Sequence, residues 1–236
     1  MQQPQHLKAK EVAARAIVAG DPARVVQLSK MLEDAKLVNE NRGFITYNGS
    51  YRGVPVTVAC HGVGGPSLGI VFEELAMLGA RVIVRLGSTG AFLKGMKIGE
   101  AVIPTGAAYI GGTLQQYIPD AHITPVPSFD VTTELVNAVK SEGLKYYVGP
   151  VFSSDAFYAE DPQFVTKWVS RGYIAVEMEC ATLFGLGMMK GVKTGSILLI
   201  SDNLAEMTPM VDAEYLKPYV ERAGRAVLQA ITKVEV

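Results

Sequence analysis

Short β-branched apolar runs that stop at a glycine alternate with amphipathic segments along almost the whole chain, and that alternation confines the fold to an α/β architecture. Ala16–Ala19 reads as a strand ending at Gly20. Asp21-Pro22 then supplies the cap and first-turn proline of a helix running to about Glu33. Phe44–Tyr51 and Val54–Cys60 flank a turn-rich stretch with Asn48-Gly49 and Arg52-Gly53, the pattern of a hairpin or meander. Pro66–Leu78 sets Leu68, Val71, Phe72, Leu75 and Leu78 at helical spacing, with Glu73 and Glu74 opposite and Gly79 as the stop. Val82–Leu86, Ala101–Ile103, Ala107–Ile110 and Tyr146–Phe152 read as further strands. Asp130 caps a helix to about Glu142, ended by Gly143, and Asp161-Pro162 opens a helix carrying Phe164, Val165 and Trp168. Thr182–Met189 reads as a buried helix and Ser196–Ile200 as the last strand. Leu216, Val220, Ala223, Val227 and Ile231 mark the core face of a final helix that Pro218 either begins or kinks. No linker, repeat or low-complexity tract intervenes, so one domain over residues 1–236 is expected, a mixed sheet with helices on both faces.

The 236 residues are 49% apolar and 19% charged, enough for a large core. A net charge of -1 with no basic stripe argues against a nucleic-acid partner. No apolar run nears the ~20 residues of a membrane span. Met1–Lys10 is polar and lacks the apolar centre of a signal peptide, so a cytoplasmic location and no membrane partner are expected. Cys60 and Cys180 are far apart and lack metal-type spacing. The pair allows two buried thiols, or a disulfide within or between chains, and no metal is expected.

Function in such a sheet gathers where strands give way to loops, and besides Val82–Ala91 four of these strand exits carry unusual polar chemistry. In Val82–Ala91 a buried strand delivers Arg85 to its end, followed by what reads as a loop of Gly87, Ser88, Thr89 and Gly90. A fixed cation, hydroxyls and free N–H groups on one rim suit an oxyanion such as phosphate. Gly20-Asp21-Pro22-Ala23-Arg24 adds a helix N-terminus and a second cation; Asp21 opposes an anion unless its side chain caps the helix. His61-Gly62-Val63-Gly64-Gly65 lets backbone approach a ligand closely, yet is neither a Walker loop nor G-x-G-x-x-G. Glu177 and Glu179 follow an apolar run; extended, they share one face, and helical, they diverge. Such carboxylates need partners, and sugar hydroxyls are good ones. Asp202 ends the apolar run Leu198–Ile200 behind Ser201, a setting that raises a carboxyl pKa and suits a general acid.

The set Gly20-Asp21-Pro22-x-Arg24, Arg42, His61-Gly62-x-Gly64, Arg85-x-Gly87-Ser88-x-Gly90, Phe157-Tyr158, Val176-Glu177-Met178-Glu179 and Ser201-Asp202 closely resembles the hexameric purine nucleoside phosphorylases. These belong to a superfamily that also holds uridine phosphorylases and methylthioadenosine nucleosidases. The resemblance implies an α/β fold whose mixed central sheet is partly barrel-like. It implies that Gly20, Arg24, Arg85 and Ser88 bind phosphate, with Arg42 reaching in from a neighbouring subunit. Val63, Met178 and Glu179 would hold the ribose, with His6 of that same neighbour near the 5′ end. Phe157, Val176, Glu177 and Ser201 would surround the base, and Asp202 would protonate purine N7. A purine nucleoside, methylthioadenosine included, and inorganic phosphate as co-substrate are the implied partners, with no further cofactor. A homo-oligomer is implied, a hexamer built as a trimer of dimers with active sites completed across each dimer.

Two departures stand out. Asn203 occupies the place of a His that follows the Asp in the familiar bacterial enzymes. The region Asp212–Lys217 lacks the Arg that assists protonation there, Lys217, Arg222 and Arg225 being the nearest cations. Uridine phosphorylase is disfavoured because the Gln-x-Arg pair of that branch is missing: Gln163 is followed by Phe164-Val165. A nucleosidase, which uses water, has no reason to keep Arg24, Arg42 and Arg85 around an anion site. A non-catalytic nucleoside-binding module is the alternative of a different class, and an intact Asp202 with the arginine set argues against it.

Overall fold

Asp21 does cap its helix, its Oδ1 accepting from the Ala23 N–H at 2.8 Å with Pro22 in the first turn. The computed structural model describes residues 3–159 and 161–236; Met1, Gln2 and Glu160, part of the expected 1–236 domain, lie outside the described residues. The elements are β1 (Arg15–Ala19), α1 (Pro22–Ser29), β2 (Glu33–Asn39), a 3₁₀ turn Asn41–Gly43, β3 (Thr46–Tyr51), β4 (Val54–Cys60), α2 (Gly65–Met77), β5 (Val82–Ala91) and β6 (Ala101–Tyr109). There follow α3 (Gly112–Tyr117), α4 (Phe129–Ser141), β7 (Tyr146–Ser153), α5 (Phe164–Val169), β8 (Ala175–Glu177), α6 (Cys180–Lys190), β9 (Lys193–Asn203) and α7 (Ala213–Ile231).

One sheet holds all nine strands in the order β2-β3-β4-β1-β5-β8-β7-β6-β9, and β9 pairs again with β5. Strands β5, β8, β7, β6 and β9 therefore close into a barrel, with β1, β4, β3 and β2 as an open wing. Parallel pairs (β1–β4, β1–β5, β5–β9, β6–β7, β7–β8) mix with antiparallel ones (β2–β3, β3–β4, β5–β8, β6–β9). Helices α1, α4 and α7 bury Val25, Leu28, Leu135, Val220 and Val227 against one face. Helices α2 and α6 bury Leu68, Phe72, Leu75 and Phe184 against the other. Among the described residues no helix is long and apolar enough to cross a membrane. Nor does any group of three or more His, Cys, Asp or Glu there fit a metal ion. Cys60 and Cys180 are both buried thiols.

Several elements differ from the sequence reading, each for a physical reason. The supposed loop Gly87–Gly90 is strand: β5 runs through it, with Gly87 opposite Leu198, Ser88 opposite Leu199 and Thr89 opposite Ile200. Its glycines serve close approach. A Cβ at Gly87 would collide with the Arg85 guanidinium folded over it, and one at Gly90 with the Leu204 side chain. Helix α1 stops at Ser29, and Glu33–Asn39, mostly exposed and without apolar alternation, becomes an edge strand only through pairing with β3. The expected strands Ala101–Ile103 and Ala107–Ile110 are one strand with an irregularity between Pro104 and Ala107. Ser128, not Asp130, stands at the start of α4. Asp161 spends its carboxylate on the Gln163 N–H at 2.7 Å, so α5 starts later, at Phe164. Pro218 lies inside α7, which begins at Ala213 under an Asp212 cap.

Candidate active site

The exits of β1, β4, β5, β8 and β9 converge on a cavity of ≈ 730 Å³. Its walls include Gly20, Arg24, Val63, Arg85, Ser88, Phe157, Val176, Glu177, Met178, Glu179, Ser201 and Asp202. The structure thus brings together every predicted site residue except Arg42 and His6. A larger groove of ≈ 1020 Å³ between α1 and α7 is walled mostly by exposed or half-buried side chains and, among the described residues, has no comparable set of buried carboxylates.

At one end of the cavity the charges are deeply buried. Arg24 reaches from the first turn of α1 to donate through Nη1 to the Leu86 carbonyl at 3.1 Å, leaving Nε unpartnered. Burial first, and Arg85 second, lower its pKa to about 10. Arg85 pairs with Glu179 and lies 3.7 Å from Glu177, leaving Nε without a hydrogen-bond partner. Burial opposes its charge, but Glu179 and Glu177 outweigh that and hold the guanidinium above its ordinary pKa. These unspent guanidinium donors, with the α1 N-terminus beside them, are what an anion needs.

Glu179 sits at the start of α6, its Oε1 accepting from the Gly64 N–H at 2.7 Å and its Oε2 from Arg85. Burial pushes its pKa up, yet Arg85 prevails and keeps the carboxylate ionised, ready to accept from a diol. Glu177 lines the cavity with its carboxylate already engaged by the protein. Its carboxylate accepts from Ser153 Oγ, from the Glu179 N–H at 2.8 Å and from the Cys180 N–H at 2.9 Å, so it caps α6 from below. Burial raises its pKa. Ser153 completes the clamp by accepting from the Ala181 N–H at 2.9 Å, and nothing in the sequence signalled it.

His61 is fully buried behind this cluster with both ring nitrogens unpartnered. Burial lowers its pKa to about 3, so it is neutral. Val63 stands out at the mouth, 71% exposed.

The other end is apolar around one carboxyl. A register shift between Thr89 and Gly90 sets Thr89 opposite Ile200 but Gly90 opposite Asp202, leaving Ser201 as the extra residue. Such a bulge re-aims the side chains around it. Ser201 Oγ bonds Asp202 Oδ1 at 2.7 Å. Burial raises the Asp202 pKa, against the pull of that hydroxyl. Val176, Phe157 and two residues absent from the sequence reading, Leu204 and Met210, wall this end. Their signal was slight: apolar residues just beyond Asp202 in a polar stretch. Tyr158 points away, 97% exposed, edge-on to Phe157. Lys217, Arg222 and Arg225 do not line the cavity; they serve Glu214, the Glu142 carbonyl and the Glu142 carboxylate.

Arg42 and His6 lie together on another surface. Arg42 is exposed in the 3₁₀ turn at φ 57. His6 is tied to that turn by Asn41, whose Nδ2 donates to its carbonyl at 2.9 Å. Its ring pairs with Glu74 at 2.8 Å and meets Phe44 edge-on. Glu74 also accepts from the N–H groups of Gln5, His6 and Leu7, pinning the N-terminal arm.

The model of the phosphorylase superfamily matches residues 14–233. Guanosine phosphorylase of Halorubrum lacusprofundi is 38% identical over 223 residues, 92% of each chain. Uridine phosphorylase of Thermococcus kodakarensis is 34% identical over 83% of this chain and 75% of its own. A DeoD-type purine nucleoside phosphorylase of Clostridium novyi is 34% identical over 84% of this chain and 87% of its own. The crystal structure of uridine phosphorylase from Vibrio fischeri superposes with a TM-score of 0.89 at 30% identity, covering 99% of both chains. The chain therefore belongs to the phosphorylase superfamily, among the nucleoside phosphorylases.

Proposed function

We propose that this protein catalyses reversible phosphorolysis of purine nucleosides, 5′-methylthioadenosine included, giving the free base and a ribose 1-phosphate. The observation that carries the purine reading is Asp202: a desolvated carboxyl beside Ser201 at an end otherwise walled by Phe157, Val176, Leu204 and Met210. Cleaving an N-glycoside leaves negative charge on the base, and a protonated Asp202 relieves it by giving its proton to N7. General acid help of this kind is worth ~10²–10⁴ in rate. Uracil asks for partners to two carbonyls and an N–H, and among the described residues the base end offers no amide or guanidinium side chain. The relatives named for guanosine and purine nucleosides support this reading, and those named for uridine are the alternative to it.

Arg24, Arg85 and Ser88 hold phosphate beneath the ribose, where it both attacks the anomeric carbon and stabilises the developing cation. Glu179 accepts from the ribose hydroxyls, aided by Met178 and Val63. In a homo-oligomer, a hexamer of three dimers, Arg42 and His6 enter the neighbour's site; their joint surface, tied by Asn41, supports delivery as a unit. The 5′ position tolerates both a hydroxyl, bonded by His6, and a methylthio group.

The test is initial rates for methylthioadenosine, adenosine, inosine, guanosine and uridine, each with phosphate and without. Phosphate-dependent turnover of 6-amino and 6-oxo purines and of methylthioadenosine is expected. Faster turnover of uridine would overturn the purine assignment, and undiminished rates without phosphate would make the protein a nucleosidase.

A further inference from the structure

Asn203 follows Asp202 but does not line the cavity. It is 1% exposed, and every polar group it has is spent locally. Its Nδ2 donates to the carbonyls of Leu93 and Met96, both at 2.9 Å, and its Oδ1 accepts from the Glu206 N–H at 3.1 Å. Its own N–H donates to Thr208 Oγ1 at 2.7 Å, and its carbonyl accepts from the Thr208 N–H at 3.0 Å. The turn so formed closes where the Val211 N–H donates to the Ser201 carbonyl at 3.0 Å, and Glu206 ties it to the Gly95 N–H at 2.9 Å. Met207 is held in the left-handed region at φ 52, a conformation that persists only where surrounding bonds over-determine it.

This turn carries Leu204 and Met210 to the cavity wall. Leu204 enters the space that Gly90 leaves by having no Cβ, the same place from which Asp202 Oδ2 is only 3.2 Å away. A primary amide is the group that fits the hub. Two carbonyls require two donors and one N–H requires an acceptor, a demand that neutral imidazole and carboxylate both fail.

We propose that Asn203 is a positioning residue for the leaving base: its buried amide holds the 203–211 turn, and through Leu204 and Met210 that turn sets the base against the Asp202 carboxyl. This rests on the reading of Asp202 as the acid that protonates a purine.

The experiment compares wild type, Asn203→Ala and Thr208→Val. It measures kcat, the KM of the fastest of adenosine, inosine and guanosine, the KM of phosphate, and amide hydrogen exchange over residues 203–211. Asn203→Ala is expected to lose about 10²-fold in kcat/KM for the nucleoside, the scale of a base misplaced by an ångström, with phosphate KM within about threefold of wild type. Thr208→Val keeps volume, removes one acceptor and should lose roughly fivefold in the same parameter; it decides the matter should Asn203→Ala not fold. Exchange over the turn should quicken in both. Equal rises in the KM of nucleoside and of phosphate would reduce Asn203 to a stability role. Faster exchange with unchanged nucleoside kinetics would sever the turn from the base. A wild type inactive on every purine nucleoside overturns the functional reading instead, before any variant is compared.

Discussion

At one end of the cavity Arg24, Arg85, Glu177 and Glu179 are buried in strand ends and helix starts, and the carboxylates and guanidinium at its centre spend their charges on one another. At the other end Phe157 and Met210 stand on loops, 52% and 57% exposed, around a half-buried carboxyl. The first end is preorganised: Arg85, Glu177 and Glu179 hold one another, and the guanidinium N–H groups of Arg24 and Arg85 that have no partner are already aimed at an incoming anion. The second is held by one turn and a bulge, so it is where small changes alter what is accepted. In the proposed reading, a phosphate-and-ribose end common to many nucleosides is thus joined to a base end that discriminates among them.

The contrast breaks most sharply at Asp202. Asp202→Asn should lower kcat on purine nucleosides by about 10²–10⁴ while leaving phosphate KM near wild type. Because burial raises the Asp202 pKa, the folded protein binds this proton more tightly than the unfolded chain does. Its ionisation therefore costs stability as pH rises from the ordinary carboxylate range through the raised value. Asp202→Asn should accordingly melt higher than wild type at neutral pH, and the gap should close in acid. A variant that melts lower at neutral pH would contradict the desolvated carboxyl.

At the charged end, Arg85→Met is expected to fail in both respects at once. It removes an anion donor, for about 10²–10³ in kcat/KM for phosphate, and strands two buried carboxylates, for about 3–5 kcal/mol of stability. Chemical denaturation and phosphate titration read the two losses separately. Full stability in this variant would mean that the Arg85–Glu177–Glu179 cluster is not coupled as its geometry requires.

The mildest change sharpens the comparison. Phe157→Ala removes one exposed aromatic wall and should raise nucleoside KM by roughly threefold to tenfold, the worth of one aromatic contact, with melting temperature and phosphate KM unmoved. Parallel rises in both KM values would show the two ends to be less independent than their construction indicates.

Much of this was legible in the residues. Asp21-Pro22 announced α1, helical spacing announced α2 and α7, and the apolar runs announced most of the strands lining the cavity. The site residues were legible as chemistry that apolar strands had no other reason to carry. What escaped notice was whatever depends on a partner distant in sequence. Glu33–Asn39 is a strand because β3 lies beside it. Glu177 reads from sequence as a ligand carboxylate, and only its bonds to Ser153 and the start of α6 show that it also caps a helix.

By itself the sequence determined the alternating elements, the apolar faces and the identity of the polar groups at the strand exits, because periodicity and residue type are local properties of a chain. The tertiary structure alone decided that Gly87–Gly90 is strand, that β9 returns to β5 to close the barrel, and that a bulge at Ser201 and a hub of hydrogen bonds at Asn203 flank Asp202. A glycine reads the same in a turn as beneath a folded arginine. Only the neighbour that fills its missing side chain tells them apart.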